Sequence, residues 1–330
     1  MKARAIVFRG PGVVGLDDFD VREPGPGEVL VRAHHTCISP GTELRCLAGK
    51  QPNPAPWPFI PGYAMAGEVI EAGPGARFEP GAMVYLNGTA DAGRLARMWG
   101  GHASHAIAPD DSCIDIPRGV STLEASFAHL AGIAYHGSIV SGAAPGDTVA
   151  VIGLGVLGQM CARMYALLGC RAVACDVNAD RVQTARRLGT KAELVSGDLA
   201  AALGPHIPEG PDVIADVTGN ARVMNDAIRI ARDVPWEDAP IEPTTYVVQG
   251  SYPDVLPVPY QDAFLKQLVL KFPRDCTRGD RARVMELMAQ GGFDARSWIS
   301  SEESPENAEE IYRELSKPDS KQLTVVFRWT

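Results

Sequence analysis

The apolar positions of this chain keep two different rhythms, and the change falls near Ser121. From Ala3 to Asp115 they come in short runs punctuated by proline and glycine: Ala5–Phe8, Glu28–Ala33, Glu68–Ala72, Ala82–Leu86, Ala103–Ala108 and Cys113–Ile116. Such runs predict the strands of an irregular, mostly antiparallel β domain. Pro24-Gly25-Pro26-Gly27 and Pro74-Gly75 mark hairpin turns, and Pro52 to Pro61 forms a proline-rich loop around Trp57 and Phe59. Ser121-Thr122-Leu123-Glu124 has the form of a capping box, and Ala125–Ile139 follows at helical spacing.

After that helix, strand and helix alternate. The predicted strands are Val149–Ile152, Ala172–Cys175, Glu193–Val195, Val213–Val217 and Tyr246–Gly250, separated by helices Gln159–Leu168, Ala179–Leu188, Leu199–Leu203 and Ala221–Ala231. This alternation predicts a parallel, doubly wound sheet that binds ligands at the carboxyl ends of its strands. The tail, with helices Asp280–Gln290 and Pro305–Ser316 and strand Gln322–Trp329, returns to the first domain. Residues 1–128 with 274–330 therefore form one domain and 129–273 the other. The acid- and proline-rich segment Asp233–Pro243 looks like an insertion and carries no functional reading.

The first strand of the alternating region breaks into Gly153-Leu154-Gly155-Val156-Leu157-Gly158. Gly153 permits a tight turn, Gly155 lets backbone approach a pyrophosphate, and Gly158 allows helix and strand to pack closely, with the helix N-terminal amides facing the anion. Asp176 closes the next strand about twenty residues on, where a ribose-binding acid belongs. A carboxylate accepts from ribose hydroxyls but repels a 2′-phosphate, and after Val177 no basic residue comes until Arg181, so NAD is expected over NADP. Thr218-Gly219 and Gln249-Gly250 stand at later strand ends, as contacts for the adenosine and nicotinamide halves or simply as turn residues.

Composition narrows the class. At 330 residues the chain suits two domains, and a formal net charge of −9 argues against nucleic acid or an anionic membrane surface as partner. A small-molecule substrate is expected. Seven scattered cysteines with no CxxC pair resemble neither a disulfide framework nor a zinc ribbon and suit a reducing, cytoplasmic setting. Met1–Phe8 reads as a strand rather than a signal segment, and no uncharged apolar run reaches membrane-spanning length.

The chain as a whole resembles the medium-chain dehydrogenase/reductase superfamily. The resemblance implies an α/β fold, with a GroES-like β-rich catalytic domain plus a Rossmann domain, pairing through a sheet edge into a homodimer. Zinc-dependent members bind their metal through Cys-Gly-Ser/Thr-Asp, Gly-His-Glu and a later Cys or Glu. Here the first motif reads Ile38-Ser39-Pro40-Gly41-Thr42-Glu43, so that Ser39 or Pro40 stands in place of the thiolate. The second has Tyr63 and Ala64 for His and Glu, and the third position holds His129. Three good ligands are needed for zinc, and a metal-free site is expected; His102 and His105 could form only half of another. Ile38–Glu43, Pro61-Gly62-Tyr63, Met98-Trp99-Gly100-Gly101 and Gly155–Gly158 resemble a zinc-lacking branch that contains the bacteriochlorophyllide hydroxyethyl dehydrogenases.

That branch implies hydride transfer between a secondary alcohol and NAD, with a hydroxyethyl-tetrapyrrole or a sugar, polyol or cyclitol as substrate; His102, His105 and His129 fit the hydroxylated kind at least as well as a flat macrocycle. A base for the hydroxyl proton is then required. Tyr63 and His129, which inherit the vacated ligand positions, are the candidates, with Thr42 as relay. An unperturbed tyrosine titrates near ~10 and histidine near ~6.5, so histidine needs less tuning. Glu43 is read as structural, held by Arg45 or another basic residue, and alternation turns only one of His34 and His35 inward. His136, about two helical turns from His129, reaches the cofactor or packs in the core. An enoyl or quinone reductase, and a nucleotide-binding protein without catalysis, are the competing readings.

Overall fold

The computed structural model describes residues 1–236, 241–252, 255–317 and 319–330. The chain divides into two compact units, Met1–His129 with Arg281–Thr330, and Leu130–Asp280. Among the described residues no helix is long and apolar enough to cross a membrane.

Among the described residues of the second unit, six parallel strands lie in the order Lys191–Leu194, Arg171–Asp176, Thr148–Ile152, Val213–Asp216, Thr245–Val248 and Val269–Lys271. Every residue of Thr148–Ile152 is buried, which is why that strand reads as an unbroken apolar run. The chain winds outward from it in both directions. Its carboxyl end is therefore the switch point where such sheets bind ligands.

The first unit holds two sheets. The larger runs Ser301–Glu303, Val325–Arg328, Glu28–Cys37, Met65–Ala72, Met83–Leu86 and Ile114–Asp115, with His105–Pro109 also paired to Glu28–Cys37. The smaller runs Val13–Asp20, Lys2–Gly10, Phe59–Ile60 and Ala96–Arg97. Val7 and Phe19 of the smaller sheet share one apolar core with Val29, Val31, Val69, Val84 and Ile107 of the larger. The expected capping box is present at Ser121 and Glu124, with both reciprocal bonds made.

Several local readings change. Pro24–Gly27 carries the chain from the small sheet to the large one and closes no hairpin, whereas Pro74-Gly75 does lie between two antiparallel neighbours. A bulge between Ala33 and His35 breaks the alternation, so His34 and His35 are both half-buried. Helix Pro40–Leu47 was hidden by its Pro-Gly opening, which reads as a turn; proline suits the first helical position because no intrahelical partner awaits its amide. Within the segment read as an insertion, residues 237–240 lie outside the described residues; Arg232 ahead of them pairs with Asp212 at 2.7 Å.

Burial pushes the Cys46 and Cys175 thiols up to about 12, and those of Cys37 and Cys161 further still, while Cys276 is half-exposed. The thiolate is the reactive form. In the native protein Ellman's reagent is expected to titrate one thiol per chain, lost in Cys276→Ser, with the rest reacting only on unfolding. Rapid reaction of several thiols would contradict the burial described here.

Candidate active site

At the switch point Gly153 has φ 95°, in the left-handed region that favours glycine. Helix Val156–Leu167 starts from Gly155, which offers no side-chain cap, so the first-turn amides of Val156 and Leu157 remain for an anion. A Cβ on Gly158 would fall 1.8 Å from the Gly153 carbonyl oxygen, whereas one on Gly155 would meet nothing within 4 Å. Close packing and an open approach thus fall where a dinucleotide phosphate needs them. Gln159, 2% exposed, donates Nε2 to the Leu154 carbonyl at 3.2 Å and leaves Oε1 buried with no partner. An orphaned buried acceptor beside open glycine backbone fits a ligand site.

The Asp176 carboxylate is already engaged. Oδ2 accepts from Leu154 N at 2.6 Å and Oδ1 from Asn178 N at 2.8 Å, so the acid fastens the glycine loop, while spare lone pairs remain for a ribose. Asn178 caps the next helix through Asp180 N and Arg181 N. Val177 is 78% exposed, and the Arg181 guanidinium stands 3.7 Å from Asp176.

The neighbouring strand ends converge on the same loop. A Cβ on Gly153 would lie 3.1 Å from Thr218 Cγ2, and one on Gly250 would lie 2.6 Å from Gly219 N. Gln249 turns its side chain away, donating Nε2 to the Ile133 carbonyl at 3.0 Å, so it offers the strand end only its backbone. Sequence reasoning passed over Asp216, whose signal was an acid closing an apolar strand. Wholly buried, it accepts from Tyr246 OH at 2.7 Å and from Thr218 N and Oγ1 at 3.0 and 2.7 Å. Burial and the adjacent Asp216 carboxylate push the Tyr246 phenol upward, so it stays a donor. His136 pairs with Asp280 at 3.0 Å, on the oxygen that also holds the Thr277 hydroxyl.

Within the first unit, Tyr63, Thr42 and His129 come together. The Tyr63 hydroxyl lies 2.5 Å from Ser39 Oγ and 3.3 Å from Thr42 Oγ1. Its ring packs against His129 at a centroid distance of 4.4 Å and edge-on to Trp99 at 5.0 Å. His129 Nδ1 is 3.4 Å from Asn87 Oδ1, and both Tyr63 and His129 are buried. Of the two residues that could replace the thiolate, Ser39 joins the cluster while Pro40 opens the helix. Asn87 carried no sequence signal. The donors of this cluster are one imidazole, one amide and three hydroxyls.

Beneath the cluster lies a buried polar network. Glu43 Oε1 accepts from Ser39 N at 2.7 Å, and Oε2 from His102 Nε2 at 2.9 Å and from the Tyr312 hydroxyl. His102 Nδ1 lies 2.8 Å from Thr36 Oγ1, which accepts from Trp329 Nε1 at 3.0 Å. Glu43 is structural, but its basic partner is His102; Arg45 bonds Gln51 instead. His102 is thus neither half of a metal site nor a substrate contact, because both ring nitrogens are used inside the core. His105 bonds Ser104, and burial, with some help from Arg32, holds its pKa below the ordinary histidine value.

Residues 25–118 match the alcohol dehydrogenase GroES-like domain. The chain belongs to the medium-chain dehydrogenase/reductase superfamily, within which it is an alcohol or polyol dehydrogenase-type oxidoreductase. It is 26% identical over its full length, and over the full length of that protein, to the 2-desacetyl-2-hydroxyethyl bacteriochlorophyllide A dehydrogenase of Cereibacter sphaeroides. In fold it matches a dehydrogenase from Sinorhizobium meliloti bound to NADP, with a TM-score of 0.85 at 23% identity over 99% of each chain. It also matches acetophenone reductase from Geotrichum candidum in complex with NAD, with a TM-score of 0.82 at 20% identity over 99% of this chain and 97% of that one.

Replacing Glu43 by alanine strands a buried imidazole, a phenol and an amide. It is expected to cost about 3–5 kcal/mol of unfolding free energy, the range for breaking a buried pair. Urea unfolding followed by circular dichroism measures it, and a loss below about 1 kcal/mol would show the network to be dispensable.

Proposed function

We propose that this protein is a zinc-independent, NAD-dependent dehydrogenase that interconverts a secondary alcohol and a ketone. The observation that carries the reading is the joining of the Tyr63, Ser39 and Thr42 hydroxyls, with His129 packed against Tyr63. A nicotinamide dinucleotide would be held through its phosphates at Gly153–Gly158, a ribose at Asp176 and the Thr218-Gly219 and Gly250 strand ends, and would supply the hydride acceptor. The protein supplies the proton path. Tyr63 takes the proton of the substrate hydroxyl as it gives its own to the hydroxyl of Ser39 or Thr42, which passes a proton on in turn. His129, bonded at Nδ1 to Asn87 Oδ1 and packed on the Tyr63 ring, is the base at which that proton ends. The Asp176 carboxylate supports NAD over NADP by repelling a 2′-phosphate.

We further propose a homodimer. The strand Val269–Lys271 is the last of its sheet, and exposed Val269, Phe272, Phe264 and Tyr260 lie on it or near it in sequence. A second copy would cover this edge, as sheet edges generally require. A small-molecule substrate and a reducing, cytoplasmic setting complete the reading.

Tyr63→Phe and His129→Ala are each expected to lower turnover on the order of a hundredfold, the usual loss on removing a general acid or base. If both keep near-normal rates, the proton path is wrong. Turnover is expected to survive exhaustive chelation and to prefer NAD at least about tenfold, a difference of roughly 1.4 kcal/mol. Stoichiometric zinc whose removal abolishes activity would overturn the metal-free assignment, and equal use of NADP would overturn the cofactor assignment. Light scattering should give a dimer that Phe272→Glu converts to monomer; a monomeric wild type refutes the pairing.

A further inference from the structure

Trp99 has φ 71°, a backbone conformation rarely adopted by a bulky side chain. The surrounding backbone holds it there. Met98 N donates to the Ile60 carbonyl at 2.8 Å, Thr89 N to that of Gly100 at 3.1 Å, and Gly101 N to that of Gly62 at 2.8 Å. Glycine or asparagine would satisfy this bend at lower cost. Tryptophan is the expensive choice, and its result is an indole edge-on to the Tyr63 ring, with centroids 5.0 Å apart and planes at 87°. Tyr63 is buried, whereas Trp99 is only half-buried.

Two of the three histidines that would fit a hydroxylated substrate bond elsewhere, and only His129 stands at the hydroxyl cluster. Both His102 nitrogens are used in the core and His105 bonds Ser104. What flanks the reacting hydroxyls is aromatic: the rings of Tyr63, His129 and Trp99.

We propose that Trp99 is a specificity-determining residue of this site: its indole is a wall against which a planar, conjugated substituent on the carbinol carbon packs, so that aryl and similarly flat secondary alcohols are favoured over polyols. The proposal rests on the dehydrogenase reading above. An aromatic contact of this kind discriminates by up to about tenfold.

The test compares kcat/KM with NAD for 1-phenylethanol, 2-butanol and 2,3-butanediol. The wild type should favour 1-phenylethanol by roughly three- to tenfold. Trp99→Ala should remove most of that preference, chiefly through KM for the aryl substrate, and Trp99→Phe should restore it. Trp99→Asn, suited to the left-handed backbone, replaces the alanine variant if that one does not fold. Equal efficiency on all three alcohols, or a uniform fall across them in the variants, overturns the role of Trp99 while the dehydrogenase reading stands. NADH binding without oxidation of any of the alcohols overturns that reading and this proposal together.

Discussion

The candidate catalytic face of the first unit depends on satisfying one buried carboxylate. Taking an ionisable group out of water is costly unless each of its oxygens finds partners. Glu43 finds them in residues far apart in sequence: the Ser39 amide, the His102 imidazole and the Tyr312 hydroxyl. Meeting that demand sets the loop at Ser39. Because the Glu43 side chain holds the Ser39 backbone amide, the Ser39 hydroxyl is left for Tyr63. The same constraint explains why His102 is absent from the substrate side. Its proximity to Gly62 is such that any side chain at position 62 would collide with the ring.

Much of the architecture was legible because its cause is local. The run Val149–Ile152 and the glycines after it encode a buried parallel strand and an anion-binding turn with little help from the rest of the chain. The Ser121 capping box is equally self-contained. What escaped depends on long-range partners. The strand Val13–Asp20 carries three aspartates and looks like a loop until Lys2–Gly10 pairs with it. Proline and glycine at the start of Pro40–Leu47 imitate a turn, and only the position of that segment in the folded unit makes it a helix.

The site divides in the same way. Tyr63, Thr42 and His129 could be named because the resemblance marks their positions, and the fold brings them together. Asn87 lacked a signal, and Ser39 was marked only as one of two residues at the vacated thiolate position; it precedes a helix, yet makes no cap bond and turns to Tyr63. Asp216 was overlooked because an acid at a strand end before Thr-Gly looks like turn chemistry; the partners that make it a buried anchor, chiefly Tyr246, come from the next strand. Gln249 shows the opposite error. Its place in sequence suggested a ligand contact, but its side chain secures a helix carbonyl.

The final strand, Val325–Arg328, lies between Ser301–Glu303 and Glu28–Cys37 rather than at the rim of its sheet. During synthesis the second unit, one continuous stretch from Leu130 to Asp280, is available to fold while the first still lacks an interior strand. Tyr312 and Trp329, which complete the polar network around Glu43 and His102, emerge after that whole stretch. The hydroxyl cluster of the first unit therefore takes its final support from segments made after the whole of the second unit.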